Sequence, residues 1–223
     1  MNEFLKEKSA PRSLYVATIG VLSALMAFMA MFAVVLPPPL GSIDTSSILI
    51  FATAILYGPS FGLIITIIGQ LIGKGVLISS VGWPAIFIPG IVAVRGPEAF
   101  IVGYIGRSKS FGRFREPLAM GIGVVWETVA FVIADFWLFG IAGAIGVIFT
   151  FIDVIWVPVG IAALYYVRLT FKTEYLDKHL GLVDPRAKRG FMITGSLFIL
   201  LCWIFILISG ITGWGLLPVF PSL

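Results

Sequence analysis

The chain is divided into apolar runs too long for the elements of a small soluble domain and of the length that crosses a lipid bilayer. About 20 residues are needed to traverse roughly 30 Å of hydrocarbon as a helix. Runs of this kind lie near 14–36, 61–79, 84–106, 117–139, 143–168 and 190–209, with a shorter apolar segment at 46–57. With 59% hydrophobic and only 12% charged residues and a mean hydropathy of +1.08, the chain has too little polar surface for a soluble globule. The reading is an all-α integral membrane protein: a compact bundle of six transmembrane helices plus a seventh C-terminal helix. Leu14 to Leu36 exceeds the length of a signal-peptide core and is not followed by a small-residue cleavage site, so it is read as a retained first span.

The basic residues orient the bundle, because Lys and Arg concentrate in short cytoplasmic loops. If 46–57 crosses, or turns back against the next segment, thirteen of the fifteen basic residues fall on one side: Lys6, Lys8, Arg12, Arg107, Lys109, Arg113, Arg115, Arg168, Lys172, Lys178, Arg186, Lys188 and Arg189. The other two, Lys74 and Arg95, are intramembrane. Were 46–57 and 61–79 a single crossing, the basic 107–115 loop would move outside. Seven crossings of the plasma membrane are therefore expected, with the N-terminus cytoplasmic and the C-terminus external. The net charge of +4 is accounted for by cytoplasmic contact with lipid head groups and calls for no nucleic acid. Residues 1–168 are read as the six-helix membrane domain. Residues 169–189 form a cytoplasmic polar linker with a short surface helix around Thr173 to His179, and 190–223 an extra helix and external tail.

Several kinds of chemistry have no support in this sequence. Cys202 is the single cysteine and lies in an apolar run, while His179 is the single histidine and lies in the polar linker. Neither a metal cluster nor a redox pair is signalled. No Gly-x-x-x-x-Gly-Lys-Ser/Thr loop is present to cradle a nucleotide. No cofactor, no metal and no enzymatic activity are expected.

Function is expected at six ionisable residues inside the apolar runs, Lys74, Arg95, Glu98, Glu127, Asp135 and Asp153, since intramembrane charges face a protein interior or a watery cavity. Lys74 and Gln70 share a face of the third segment. Glu127 is preferred to its neighbour Trp126 as the inward residue. Phe149, Asp153, Trp156 and Gly160 fall on one helical stripe, an aromatic wall beside a carboxylate that would suit a heteroaromatic ring with hydrogen-bond donors. Asp44 ends the external stretch Pro37–Asp44, stiffened by three prolines and read either as a lid or as a rigid connector without ligand contact. Two alternatives stay open: Arg95 and Glu98, three apart, neutralise each other, and Lys74 snorkels to the interface. With all six ionised the net charge is −2, favouring a neutral or cationic substrate over a dianion.

The turn Gly58-Pro59-Ser60-Phe61-Gly62 joins the second and third segments, and Gly62, Thr66, Gly69 and Gly73 line one small face beyond it. This hairpin resembles that of the substrate-binding S components of energy-coupling factor (ECF) transporters, whose short second helix commonly ends in a Gly-Pro-x-x-Gly turn. Arg95-Gly96-Pro97-Glu98 is similar to an Arg-Gly-x-Glu segment in the fourth helix of some S components. In the first helix, Gly20 with Ala24 and Ser23 with Ala27 resemble the small-residue pattern that packs against the coupling subunit. The resemblance covers roughly residues 12–168. It implies a receptor for a vitamin or vitamin precursor, such as a thiamine precursor, thiamine or riboflavin. Such a receptor works with a transmembrane coupling subunit and two ATP-binding cassette subunits. An ion-coupled secondary carrier is the alternative, though the inverted repeats expected of that class are not visible.

Overall fold

In the computed structural model, the structure describes residues 12–32, 34–35, 42–82, 85–108, 112, 114–170 and 185–212. The helices are α1 (Arg12–Met31), α2 (Ser47–Tyr57), α3 (Pro59–Val81), α4 (Phe87–Gly106), α5 (Arg115–Ile148), α6 (Trp156–Thr170) and α7 (Pro185–Thr212). A 3-10 segment, Phe149–Ile155, joins α5 to α6. Two short strands, β1 (Val34–Val35) and β2 (Ser42–Ile43), pair antiparallel between α1 and α2. The chain is thus an all-α membrane bundle: α1, α3, α4, the stretch from α5 to α6, and α7 are each long and apolar enough to cross.

Gly58 decides the topology of the first half. Its φ of 89° is open to glycine at little cost, and Pro59 starts α3 where its missing N–H is harmless. Ser46 and Gln70 lie equally far from Gly58 along the chain, yet the Gln70 amide donates to Ser46 Oγ at 2.7 Å. Only a hairpin brings them together, so α2 runs antiparallel to α3 and is a segment of its own. At 11 residues α2 is about 16 Å long. It is short because the strand pair before it carries the chain inward, where β2 meets the 3-10 segment.

Where no water drives helices together, close approach depends on small residues. A Cβ added at Gly62 would lie 2.7 Å from the Ala54 Cα, and one at Gly103 would lie 2.8 Å from the Ala54 carbonyl oxygen. Gly69 meets Met26 and Ser23, and Gly73 meets Ala27 and Ala30, seating α3 on α1. The helix α4 continues through Gly96-Pro97, and Gly96 receives Ile199 of α7. The last helix packs on α3, α4 and α5.

The chain turns again at Gly140, with φ 70° and ψ −157°. At one end of the bundle Arg107 packs over Gly58 and donates to the Leu56 carbonyl at 2.8 Å. Arg168 makes paired bonds of 2.9 and 2.7 Å to Glu116 there. At the other end Trp137 donates to the Leu207 carbonyl at 3.2 Å. The helix expected around 173–179, with His179, and the Pro37–Gly41 part of the expected lid lie outside the described residues. So does 171–184, which falls between α6 and α7 and covers most of the expected linker.

Candidate functional site

Asp44 follows β2 and immediately precedes the first turn of α2. Its Oδ1 accepts from the Ser46 backbone N–H at 2.8 Å, and its Oδ2 lies 2.9 Å from Lys74 Nζ and 3.4 Å from Arg95 Nη2. Burial pushes the Asp44 carboxyl up, but Lys74 and Arg95 with their charges, and the bonds from Lys74 and Ser46, outweigh it and hold its pKa at about 2. The Lys74 residue is only 4% exposed. Its ammonium therefore turns inward to Asp44, and the snorkelling alternative does not hold, because an inward carboxylate offers it a partner that lipid does not.

Arg95, eight residues into α4, is the centre of the cluster. Nη1 donates to Ser47 Oγ at 2.9 Å and to Glu98 Oε2 at 3.1 Å. Nη2 donates to Asp153 Oδ2 at 3.2 Å and lies 2.7 Å from Glu127 Oε1. That last contact is a charge contact without hydrogen-bond alignment. The guanidinium carbon stands 5.9 Å from the centre of the Phe131 ring, a cation–π arrangement. One arginine thus gathers carboxylates from the segment before α2, from α4, from α5 and from the 3-10 segment. The i, i+3 pair with Glu98 is one part of this and not the whole.

The surroundings of each carboxylate follow from local structure. Glu127 is fully buried, while its neighbour Trp126 turns to α4 and donates to the Val94 carbonyl at 3.0 Å. Phe149 does not join the stripe expected of it. The 3-10 winding over 149–155 has about three residues per turn, so Thr150, Asp153 and Trp156 align instead, and Phe149 is 49% exposed. Trp156 is half-buried, packs against the hydrophobic core and has its indole N–H unpaired. Asp135 is not brought to the cluster. It lies eight residues past Glu127, about 12 Å along the helix, and is buried without an ion pair among the described residues.

Three residues escaped the sequence reading. Ser46 and Ser47 bond to Gln70, Arg95 and Asp153; the Asp44-Thr45-Ser46-Ser47 run has the composition of a helix N-terminus and could have pointed to them. Phe131 is four residues after Glu127, on the same face.

The four small residues of α1 separate into two pairs. Ser23 and Ala27 are buried against Gly69 and Gly73 of α3, so they do not face outward as the resemblance implied. Gly20 and Ala24 are exposed. The close α1–α3 packing demanded by two α3 glycines takes up the first pair.

Several polar atoms in the cluster are buried without a hydrogen-bond partner: Gln70 Oε1, Glu98 Oε1, Glu127 Oε2 and Asp153 Oδ1 among acceptors, and Arg95 Nε and Trp156 Nε1 among donors. Such atoms cost free energy unless something meets them. The arrangement can bind a polar solute; among the described residues no group of His, Cys, Asp and Glu is placed to hold a metal ion.

No match was found among curated proteins or among solved structures. A family model described as the S component of ECF-type riboflavin transporters matches residues 13–170, from the second residue of α1 to the last of α6, and leaves α7 outside. The matched stretch holds the Gly58-Pro59 hairpin and every member of the Arg95 cluster, and on that match the chain belongs to the S components of ECF-type riboflavin transporters, the membrane-embedded substrate-binding subunits of vitamin uptake.

Proposed function

We propose that the Arg95 cluster is the seat of a flat heteroaromatic vitamin or vitamin precursor, captured from outside the cell and passed inward with energy from separate subunits. The observation that carries this reading is a fully buried set of six charged side chains, Asp44, Lys74, Arg95, Glu98, Glu127 and Asp153, with acceptors left unpaired. A purely structural ion cluster would leave fewer partners unmet, since buried charge is tolerated when every lone pair is engaged. Gln70, Ser46, Ser47, Phe131 and Trp156 complete the seat. Riboflavin is the substrate in the family's description; thiamine and its aminopyrimidine precursor also fit an aromatic edge beside carboxylates.

Placement in the membrane follows from charge. The bundle end with Arg107, Arg115 and Arg168 is taken as cytoplasmic, which puts the N-terminus inside and the C-terminus outside. Arg95 is then about 18 Å from that end, twelve residues before Arg107, in the outward half. Asp44 ties the segment between α1 and α2 to the seat. The energising partners are a coupling transmembrane subunit and two ATP-binding cassette subunits, and the exposed Gly20 and Ala24 of α1 are the surface offered to the coupling subunit.

The test is mass spectrometry of small molecules released from the detergent-purified protein, followed by titration of each hit against thermal stability. A ligand at 100 times its Kd adds about 2.7 kcal/mol. A vitamin-like heterocycle recovered in stoichiometric amount supports the reading; a protein that no vitamin stabilises defeats it.

A further inference from the structure

Resting on that reading, we infer that the seat selects an organic cation: a heteroaromatic ring carrying positive charge and N–H donors, in preference to a neutral or anionic vitamin. The cluster holds two cations, Lys74 and Arg95, against four carboxylates, Asp44, Glu98, Glu127 and Asp153. All six are buried. The surplus of two negative charges has no counter-charge among the described residues, and uncompensated charge in such a place is tolerated only when protons or a cation neutralise it.

The unpaired atoms point the same way. Two of the surplus carboxylate oxygens, Glu127 Oε2 and Asp153 Oδ1, and beside them Glu98 Oε1 and the amide oxygen of Gln70, are acceptors without a donor. Against these stand two unpaired donors, Arg95 Nε and Trp156 Nε1. A ligand that fits brings more N–H than it takes. The centre of the Phe131 ring lies 5.9 Å from the Arg95 guanidinium carbon, and Trp156, three residues after Asp153, follows it by one 3-10 turn. Aromatic faces beside buried carboxylates attract a cation on both counts.

The charge balance has a measurable consequence. If protons neutralise the surplus in the empty protein, an entering cation displaces them to solvent, and binding weakens as pH falls. The groups facing the ligand in this balance are Asp44 before α2, Lys74 on α3, Arg95 and Glu98 on α4, Glu127 on α5 and Asp153 on the 3-10 segment. Asp135, outside the cluster, takes no part.

The experiment is isothermal titration of the purified full chain with thiamine as a permanent cation, its aminopyrimidine moiety, riboflavin as a neutral ring and pantothenate as an anion. Each titration is made in two buffers of different ionisation enthalpy at pH 6 and pH 8. Expected is tighter binding of thiamine than of riboflavin, with no binding of pantothenate. Proton release and weaker affinity at pH 6 accompany it, and Glu127→Gln reduces the preference by about tenfold or more. Riboflavin binding as tightly or more tightly, without proton release, overturns the cation preference while leaving the vitamin-receptor reading in place. Failure of every compound to bind overturns both. Because the wild-type titrations decide the matter, a Glu127→Gln protein that does not fold leaves the test intact.

Discussion

Arg95 on α4 reaches across to Glu127 on α5, with Nη2 and Oε1 2.7 Å apart and both side chains buried. The two residues lie 32 positions apart in the sequence, and the same guanidinium also meets Asp44, Glu98 and Asp153. One positive group therefore holds together segments that have no covalent reason to converge. Its removal has a different consequence from the loss of any one acid.

Arg95→Ala is expected to lower stability by about 3–5 kcal/mol, because it strands several buried carboxylates at once. Thermal unfolding in detergent checks this. A variant as stable as the wild type would mean that the acids are neutralised without Arg95.

Asp153→Asn should weaken substrate binding by about tenfold or more while the fold survives. Its Oδ2 contacts to Arg95 and Ser47 can pass to an amide oxygen, but the free Oδ1 loses its charge or becomes a donor. Binding titration beside a melting curve separates the two effects. Unchanged affinity in a folded protein would remove Asp153 from the seat.

The pairing of Asp44 carries a pH dependence of known sign. Its carboxyl is held at about 2 against a usual 3.8, so the folded state binds the proton more weakly than the unfolded chain. Its contribution is complete above about pH 4 and is lost as pH falls through about 2. Asp44→Asn should lack this part of the acid destabilisation, as seen by comparing melting temperatures of the two proteins at pH 5, 4 and 3.

Gly73→Val and Gly20→Val form a matched pair on neighbouring helices. At Gly73 the new side chain meets the Ala30 Cβ at 2.8 Å and the α1 backbone around Ala27, whereas at Gly20 nothing lies within 4 Å. The first should cost about 1–3 kcal/mol or more through overpacking. The second should leave the isolated chain unchanged and reduce its assembly with a coupling subunit. Equal stability of both variants would show that α1 and α3 can separate freely.

Truncation after residue 184 removes α7 and uncovers Gly96 and Leu63, which pack against Ile199 and Gly195. No cluster residue is on α7. The shortened chain should keep substrate affinity within a few-fold and lose thermal stability, measured in one titration and one melt. A large loss of affinity would tie α7 to the seat.

The sequence alone determined the membrane setting, the all-α class and the bundle end at which Arg107, Arg115 and Arg168 gather. These depend on hydrocarbon thickness and charge, which act on each segment independently of the others. It also determined the reversal at Gly58-Pro59, whose conformational demands are local, and it marked Lys74, Arg95, Glu98, Glu127, Asp135 and Asp153 as charges within apolar runs, all of which are buried. What the tertiary structure decided is which charges meet. It drew Asp44 inward by the strand pair, left Asp135 about two turns too far along α5, and set Lys74 on Asp44 instead of at the interface. The 3-10 winding exchanged Phe149 for Thr150 on the inner face, because a change from 3.6 to 3.0 residues per turn re-aims a side chain without changing the composition. On α1 the neighbouring glycines of α3 took up Ser23 and Ala27 and left Gly20 and Ala24 outside. Small-residue spacing records that a helix can be approached closely, but the approaching helix is chosen only when the whole bundle packs.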